Sequence, residues 1–330
     1  MSRSCFGSRF RVEIFGSSHG PETGIDIWGI PDEADPRSLD FSIDIARRRG
    51  GAALTTPRVE DDVPLFEDMR AEGGPFRIRF ENRNVRSSDY SVFVDIPRPG
   101  HADFTSKVKY GRAFPGGGIF SGRMTLPLVA AGVVAKALIS PVTVSASLVE
   151  IGGISCEDGN AVREALRRAE EEGDSLGAVV KCVCDNVPAG LGEPFFDSLE
   201  SMIAHVVFSI PGIRGIEFGD GFAASAMRGS QHNDPFVDGM GHTSRNGCGG
   251  INGGISNGNP IVFDVAVKPT SSIRKVQHTY NFKEGRMDEL SVGGRHDVCF
   301  ALRVPPVIEA VTAMVLADLG AGRSNHQETV

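Results

Sequence analysis

Two turns in the N-terminal third place a histidine where it could transfer a proton. The turn Gly16 to Gly20 holds His19 between small residues after a predicted strand, so a ligand could reach a ring that titrates near neutral pH. The turn Arg98 to Asp103 sets His101 between a forked cation and a carboxylate that could orient it. For both turns a purely structural role, as a local hydrogen bond or a surface ion pair, stays open.

Two further regions combine glycine, hydroxyl groups and cations in ways that suit an anion. The glycines Gly116 to Gly118 precede a predicted helix, whose backbone N–H groups and positive dipole end attract anions, although a hinge is an equal alternative. Lys268 is followed by three hydroxyl residues within five positions, which suits a phosphate. Farther along, Arg295 and His296 place positive charge beside Asp297, a possible base.

Several common reaction classes lack their motifs. The sequence has no P-loop pattern G-x-x-x-x-G-K-[ST], and no G-x-G-x-x-G between a strand and a helix. It has no G-x-S-x-G elbow of a serine hydrolase and no His or Cys/His set at zinc spacing. The sequence therefore predicts neither a Rossmann enzyme nor a hydrolase of that kind, and no metal.

Composition excludes further classes. With 330 residues, 40% of them hydrophobic, the chain can bury a sizeable core, and its net charge of −8 argues against a general nucleic-acid binder. The longest apolar stretch, Leu126 to Ile139, is shorter than the ~20 residues of a spanning helix. We find no signal-peptide pattern, and the six cysteines show no C-x-x-C. We therefore expect a cytoplasmic protein with no nucleic-acid or membrane partner.

The positive charge is almost entirely arginine. Seven of the 34 basic residues are lysines, which leaves 27 arginines. Arginine forks bind carboxylates and phosphates in two places at once, so the excess is compatible with an anion-binding site. A GC-rich genome, which favours arginine codons, explains the excess equally well.

Hydrophobic periodicity predicts one compact α+β unit with no linker. The predicted strands are Arg9–Phe15, Phe76–Phe80, Val142–Ile151, Ala178–Cys184, Ile261–Val267 and Val298–Val304, and the predicted helices are Leu39–Arg49, Gly122–Ile139, Ala161–Glu172, Leu199–Phe208 and Val307–Leu319. A weak repeat relates 29–46 to 186–204 at an offset of about 160 residues. It predicts a single domain made of two related halves, about 1–150 and 151–330.

Taken in order, these segments resemble the chorismate synthase family along nearly the whole chain. The segments that carry the resemblance are the His19 turn, Arg47–Arg49 with Thr55–Arg58, the Arg98 turn, the glycine triplet, Val187–Pro194, Met227–Ser230, Lys268–Ile273 and Gly294–Asp297. The resemblance implies an α+β fold in which two antiparallel sheets sandwich a helical core, with an internal pseudo-repeat.

The resemblance also implies an activity. Family members are lyases of the shikimate pathway, which leads to the aromatic amino acids; they make chorismate from 5-enolpyruvylshikimate 3-phosphate by 1,4-anti elimination of phosphate. They require reduced FMN without net redox change, and they form homotetramers in the cytoplasm. No reductase domain is visible here, so we expect an external flavin reductase or NADPH-supplied reduction. Two alternatives are a divergent paralogue with another phosphorylated or carboxylated cyclic substrate, and a non-catalytic flavin-binding relative.

Matching the motifs residue by residue implies specific roles. The catalytic residues would be His101 near the departing phosphate, His19 with Ser18 at the flavin, and Asp297 in proton removal near flavin N5. The implied substrate-binding residues are Ser18, Arg48, Arg49, Arg98, Ser121, Arg123 and Arg295. The implied cofactor-binding residues are Pro211, Gly212, Gly253, Lys268, Pro269, Thr270, Ser271, Ser272 and Arg295.

Five positions depart from the family pattern. Ser17 stands for the usual Glu, Ala53 and Ile119 for arginines, Phe120 for a serine and Gly247 for a histidine. Each lost charge-assisted contact costs about 1.5–3 kcal/mol of binding. These departures therefore bear on the affinity or identity of the ligands.

Overall fold

Two five-stranded antiparallel sheets enclose a pair of apolar helices in the computed structural model, which describes residues 4–49, 60–84, 92–293 and 296–320. The first sheet has the order β1-β2-β3-β5-β4. Its strands are β1 (Cys5–Phe6), β2 (Arg11–Gly16), β3 (Glu22–Trp28), β4 (Leu65–Asp68) and β5 (Phe76–Glu81).

The second sheet has the order β7-β6-β8-β12-β9. Its strands are β6 (Thr143–Ile151), β7 (Ile154–Ser155), β8 (Ala178–Asp185), β9 (Ile213–Phe218) and β12 (Ile261–Val267). Two small hairpins complete the described strands: β10 (Ile251–Asn252) with β11 (Ile255–Ser256), and β13 (Gln277–Asn281) with β14 (Arg286–Leu290).

Seven α-helices lie in the described part of the chain. They are α1 (Ser42–Arg49), α2 (Asp103–Tyr110), α3 (Thr125–Leu138), α4 (Gly159–Glu171), α5 (Leu199–Val207), α6 (Gly229–His232) and α7 (Pro305–Asp318). Short 3₁₀ helices include Pro36–Ser38, Arg70–Glu72, Pro115–Phe120, Gly122–Met124, Phe195–Asp197, Gly221–Ala226 and Phe300–Arg303.

The two sheets repeat the same topology. The order of β2, β3, β5 and β4 in the first sheet matches that of β6, β8, β12 and β9 in the second. Helix α1 lies between β3 and β4 along the chain, just as α5 lies between β8 and β9. The apolar helix α3 follows the last strand of the first set, and the apolar helix α7 follows the last strand of the second set. This pattern confirms the expected sandwich of antiparallel sheets, and in this correspondence the second set begins at Thr143.

Helices α3 and α7 form the centre of the core. Helix α3 contacts β3 and β5 of the first sheet, α7 contacts β6 and β8 of the second, and the two helices pack on each other. A Cβ atom on Gly132 would come 2.2 Å from Cβ of Ala310, so the glycine allows the close approach. The stretch Pro115–Leu138 is apolar and long enough to span a membrane, but 72% of its apolar 18-residue window is buried inside the fold, where it serves as core.

Most predicted elements are found within a few residues of their expected ends. The predicted strand Val298–Val304 is wrong, because residues 300–303 form a 3₁₀ helix that leads into α7 at Pro305. An alternating apolar pattern indicates only that these side chains are buried. In so short a segment, a single helical turn packed on the core buries them as well as a strand would, so the pattern does not distinguish the two. The helix expected from Gly122 begins at Thr125, after a 3₁₀ turn.

Candidate active site

A cavity of about 650 Å³ collects most of the residues singled out from the sequence. Its walls come from the ends of α1, the two histidine turns, the glycine triplet, the loop after α5 and the segments after β12 and before α7. The predicted site residues that line it are His19, Arg48, Arg49, Arg98, His101, Ser121, Arg123, Pro211, Gly212, Lys268, Pro269, Thr270, Ser271, Ser272 and Asp297.

Two of the predicted site residues that the structure describes do not line the cavity. Ser18 is fully buried behind it, where its hydroxyl lies 3.0 Å from Nδ1 of His19. Gly253 is exposed in the turn of the β10–β11 hairpin, which is held by the 2.8 Å bond from Leu199 N–H to the Gly254 carbonyl, so its cofactor role stays a prediction. Arg295 lies outside the described residues.

The glycine triplet makes room for His19. Gly116, Gly117 and Gly118 all have positive φ angles, of 57°, 82° and 50°. A Cβ atom on Gly116 would come 1.8 Å from Cε1 of His19, and the Ser18 N–H donates to the Gly118 carbonyl at 3.3 Å. The triplet therefore shapes the histidine's surroundings. The sequence predicts that the triplet leads directly into the N-terminus of a long helix. This is not the case, because α3 begins seven residues after Gly118.

His101 is oriented by Asp103 from behind. Its Nδ1 lies 2.7 Å from Oδ1 of Asp103 and 3.1 Å from Nη2 of Arg98. An ionised carboxylate can only accept hydrogen bonds, so the shorter contact assigns a proton to Nδ1, which donates it to Asp103. Nε2 is then on the side of Gly117, whose added Cβ would lie 3.5 Å away.

Arg98 and Asp103 form a buried fork. Arg98 donates from Nε to Oδ2 at 2.8 Å and from Nη2 to Oδ1 at 2.9 Å. Burial acts to raise the pKa of Asp103, but the hydrogen bonds from Arg98 and His101 outweigh it and hold the pKa well below its usual range. Arg98 Nη1 also donates to the Ser272 hydroxyl at 3.0 Å, which joins this turn to the Lys268 segment.

Three of the cavity's arginines meet at one carboxylate. Asp62 lies 2.6 Å from Nη1 of Arg123, 3.5 Å from Nε of Arg49 and 4.0 Å from Nη1 of Arg48. Arg48 also donates to the Thr125 hydroxyl and the Gly122 carbonyl. Burial, followed by the nearby charge of Arg303, lowers the pKa of Arg48 to about 9. One carboxylate does not neutralise this cluster, so an anionic ligand would be bound favourably here.

Asp297 and Arg303 form an ion pair in the cavity wall. Nη2 of Arg303 donates to Oδ2 of Asp297 at 2.6 Å, and the aspartate is 9% exposed. The neighbouring His296 contacts the Gly293 carbonyl through Nε2 at 3.0 Å. Burial lowers the pKa of His296, so its neutral form is favoured.

The Lys268 segment is bound to the Arg98 turn. Nζ of Lys268 donates to the Ser271 hydroxyl at 2.7 Å and to the Gly100 carbonyl, and that carbonyl also accepts from Ser271. Burial, with the charge of Arg214 second, lowers the pKa of Lys268. The expected cation with hydroxyls is therefore present as a rigid cavity wall.

The cavity carries an excess of positive charge and several unpaired polar atoms. Of the described residues that line it, seven are arginine or lysine and three are carboxylates. Within the described chain, Nε of Arg303 and the Thr270 hydroxyl are buried without a hydrogen-bond partner, and Nε of Arg49 has only its 3.5 Å ion-pair contact with Asp62. Buried polar atoms usually have hydrogen-bond partners, so these atoms are candidate ligand contacts.

Sequence reasoning missed several lining residues. Glu60, Asp62, Asn84, Arg214 and Arg303 all face the cavity. Arg303 was hidden in a run predicted as a strand, and Asp62 ends an acidic run that resembles ordinary surface. Asp62 could have been found from one consideration: a cluster of buried arginines requires a buried carboxylate as its counter-ion.

The five departures divide into two groups. Ile119 and Phe120 line the cavity, and Phe120 packs against Tyr110 and Phe114 with ring centroids 6.3 and 6.0 Å apart. Ser17 and Gly247 do not line it, and Ala53 lies outside the described residues. Of the departures at described positions, only Ile119 and Phe120 therefore add apolar surface to the cavity wall.

The site defines an enzyme class that binds a small polyanion and moves protons. A deep cationic cavity is combined with two oriented histidines and a carboxylate paired to an arginine. The sequence model of the chorismate synthase family matches residues 10–320. The chain belongs to the chorismate synthase family, as its motifs predicted.

Relatives and a solved structure agree with this assignment. A chorismate synthase of Chitinophaga pinensis is 53% identical over 95% of both chains. One of Dehalococcoides mccartyi is 42% identical over 97% of this chain and 96% of its own, and one of Methanosarcina acetivorans is 39% identical over 96% of both. A crystal structure of chorismate synthase matches the fold with a TM-score of 0.70 at 22% identity, covering 95% of this chain and 92% of that chain.

Proposed function

We propose that this protein is a chorismate synthase that eliminates phosphate from 5-enolpyruvylshikimate 3-phosphate. The reaction breaks one C–O bond and one C–H bond and forms a C=C bond, so phosphate and a proton leave and net oxidation state is unchanged. The observation that carries the proposal is the cavity, which combines excess cations with oriented histidines and a carboxylate. The close relatives with this name, the nearest of those given above at 53% identity, support the same activity.

The substrate's phosphate and two carboxylates require several cations. Arg48, Arg49 and Arg123 are already held around Asp62, so they are organised before a ligand arrives. Arg98 is fixed by Asp103, and Ser121 lies in the same wall as Arg123. We propose that these residues bind the anionic groups, and Arg295 would join them.

His101 acts on the departing phosphate. Asp103 at Nδ1 fixes the ring, so the ring can present Nε2 to a phosphate oxygen in the cavity. A proton or a hydrogen bond delivered there stabilises the charge that develops on the leaving group. This is the same charge that the surrounding arginines stabilise.

Asp297 takes part in removing the substrate proton. Arg303 holds one of its oxygens, which fixes the carboxylate at the cavity wall. His19, supported by Ser18, also lines the cavity and lies against the glycine triplet. We assign His19 and Ser18 to the flavin side of the site.

The residues expected to hold the flavin fit a flat ligand with a polar edge. The buried Thr270 hydroxyl has no hydrogen-bond partner in the described chain. Phe300 gives an apolar surface beside Gly212, where an added Cβ would come 3.5 Å from its ring. We propose that Pro211, Gly212 and the segment Lys268 to Ser272 hold reduced FMN. When bound, reduced FMN supplies an electron to the substrate.

Assembly and flavin reduction are further parts of the proposal. Large apolar side chains are exposed on the surface, such as Phe195, Phe196, Phe222, Phe236 and Met240. Subunit association would remove such side chains from water, so we propose the homotetramer expected from the family, and light scattering of the purified protein would test it. We propose that reduced flavin comes from an external reductase or an NADPH-supplied system in the cytoplasm. Flavin that stays oxidised when the protein alone is mixed with NADPH would agree with this.

One observation favours a second candidate function. Ile119 and Phe120 make part of the cavity wall apolar, which would suit a divergent enzyme for another phosphorylated or carboxylated cyclic substrate. The retained His19, His101 and Asp297 argue against a non-catalytic flavin-binding relative. Anaerobic turnover with reduced FMN, compared between wild type and Asp297→Asn, tests the main proposal. We expect chorismate from wild type and none from the variant.

A further inference from the structure

Four charged side chains form a ring behind helix α1. Glu309 of α7, 3% exposed, accepts two hydrogen bonds from Arg47, at 2.6 Å to Oε1 and 2.8 Å to Oε2. Nζ of Lys136 on α3 donates to Oε2 of Glu309 and to Oδ2 of Asp44, each at 2.8 Å. Asp44 closes the ring by accepting from Nη1 of Arg47 at 3.0 Å. The ring thus connects α1, α3 and α7.

Glu309 is the centre of this ring. Besides its two cationic partners, Oε1 accepts the backbone N–H of Ala146 in β6 at 3.0 Å. Burial acts to raise the pKa of Glu309, but the hydrogen bonds from Arg47 and Lys136 hold it below its usual value. Buried ion pairs often add little stability over apolar residues of the same volume. What this ring adds over an apolar contact is a fixed direction for Arg47.

That direction matters because α1 carries three consecutive arginines. The helix has only eight residues, too few to be stable without tertiary contacts. Successive side chains of an α-helix point about 100° apart. Arg47 points to Glu309, Arg48 to Thr125, and Arg49 to Asp62. Fixing the direction of Arg47 therefore fixes the directions of the other two.

We infer that Glu309 is a positioning residue. Through Arg47, it sets the rotation of α1 about its axis and so directs Arg48 and Arg49 into the cavity. The role rests on the proposed function, in which those two arginines bind the anionic groups of the substrate. Neither Glu309 nor Arg47 lines the cavity itself.

The test is Arg47→Met, which removes the direct hydrogen bonds from α1 to Glu309. Glu309 stays paired with Lys136, and Lys136 with Asp44, so the fold persists. We expect KM for the substrate to rise at least tenfold, with kcat changed less than threefold and affinity for inorganic phosphate weakened to a similar degree. Asp318→Asn is the matched control. This second buried carboxylate of α7 accepts the backbone N–H groups of residues 8–10 and does not touch α1. It should lower stability and leave KM and phosphate affinity unchanged.

A double-mutant cycle shows whether the two residues act through one contact. Glu309→Gln, Arg47→Met and the double variant should raise KM by similar factors, because a shared contact is lost only once. Additive effects, or a wild-type KM in Arg47→Met, would overturn the inference. So would the same KM shift in Asp318→Asn.

Phosphate titration separates this inference from the proposed function. If wild type makes no chorismate, the proposed function fails, and phosphate affinities in the variants still decide the role of Glu309. Wild-type protein that does not bind phosphate overturns the inference, since the α1 arginines then hold no anion.

Discussion

Nδ1 of His101 lies 2.7 Å from Oδ1 of Asp103, and Arg98 holds the same carboxylate with two hydrogen bonds. Asp103 therefore orients both the cationic Arg98 and the proton-transfer group His101 within one turn. Because both partners depend on it, the Asp103 carboxylate is the first place to test the account of the site.

Asp103→Asn should lower kcat about 100-fold, because an oriented acid–base group contributes about 10²–10⁴ to rate. Breaking the buried pair with Arg98 should also cost about 3–5 kcal/mol of unfolding free energy. Asp26→Asn is a matched control, since Asp26 makes the same two-bond contact with Arg77 outside the cavity. Wild-type kcat in Asp103→Asn, or an equal loss in Asp26→Asn, would contradict the role.

The same variant gives a pH dependence with a definite sign. The folded-state pKa of Asp103 is lowered, so its stabilisation is present above the unfolded-state value near 3.8 and is lost as pH falls below it. The difference in unfolding free energy between wild type and Asp103→Asn should therefore be full at pH 7 and shrink from pH 4 to pH 3. Denaturant titration at these pH values measures it. A difference that grows on acidification would show that the carboxylate is not stabilised as described.

Gly116→Ala should displace His19, since the added Cβ would lie 1.8 Å from the ring. We expect at least a tenfold loss of turnover. Gly111→Ala is the control, because Gly111 also has a positive φ, of 72°, yet nothing lies within 4 Å of an added Cβ. Both variants should lose about 1 kcal/mol of stability from the strained backbone. Equal turnover in the two would mean that the position of His19 does not matter.

Ile119→Arg distinguishes the two candidate substrates. The cavity already has seven basic residues among those described, so we expect KM for 5-enolpyruvylshikimate 3-phosphate to change less than tenfold. Val108→Arg adds the same charge to a side chain that is 71% exposed on α2 and should have no effect. A large gain of turnover in Ile119→Arg alone would instead support a wild-type enzyme adapted to another substrate.

Much of the site could be predicted from local sequence, because its histidines, arginines and glycines lie in turns and at helix ends, where the residue type indicates the chemistry. Contacts between segments that are distant in the sequence could not be predicted in this way. Arg303 and Asp297 are six residues apart, but the intervening 3₁₀ turn that brings them together looked like a strand. Asp62 meets Arg123 only because the segment before β4 lies against the 3₁₀ turn that precedes α3.

The fold shows a similar limit. Strand β3 was not predicted, since Glu22, Asp26 and Gly24 interrupt its apolar pattern. The structure explains them: Arg79 and Arg77 on β5 pair with the two acids, and the ring of Phe15 covers the glycine. Cross-strand pairs of this kind stabilise a central strand that contains polar residues. They cannot be recognised from the sequence of one segment alone.

Anaerobic turnover tests the central claim most directly. Purified protein, reduced FMN and 5-enolpyruvylshikimate 3-phosphate should yield chorismate and inorganic phosphate in equal amounts while the flavin stays reduced, and Asp297→Asn should still bind flavin but yield neither product. The absence of chorismate from flavin-loaded wild-type protein would contradict the account.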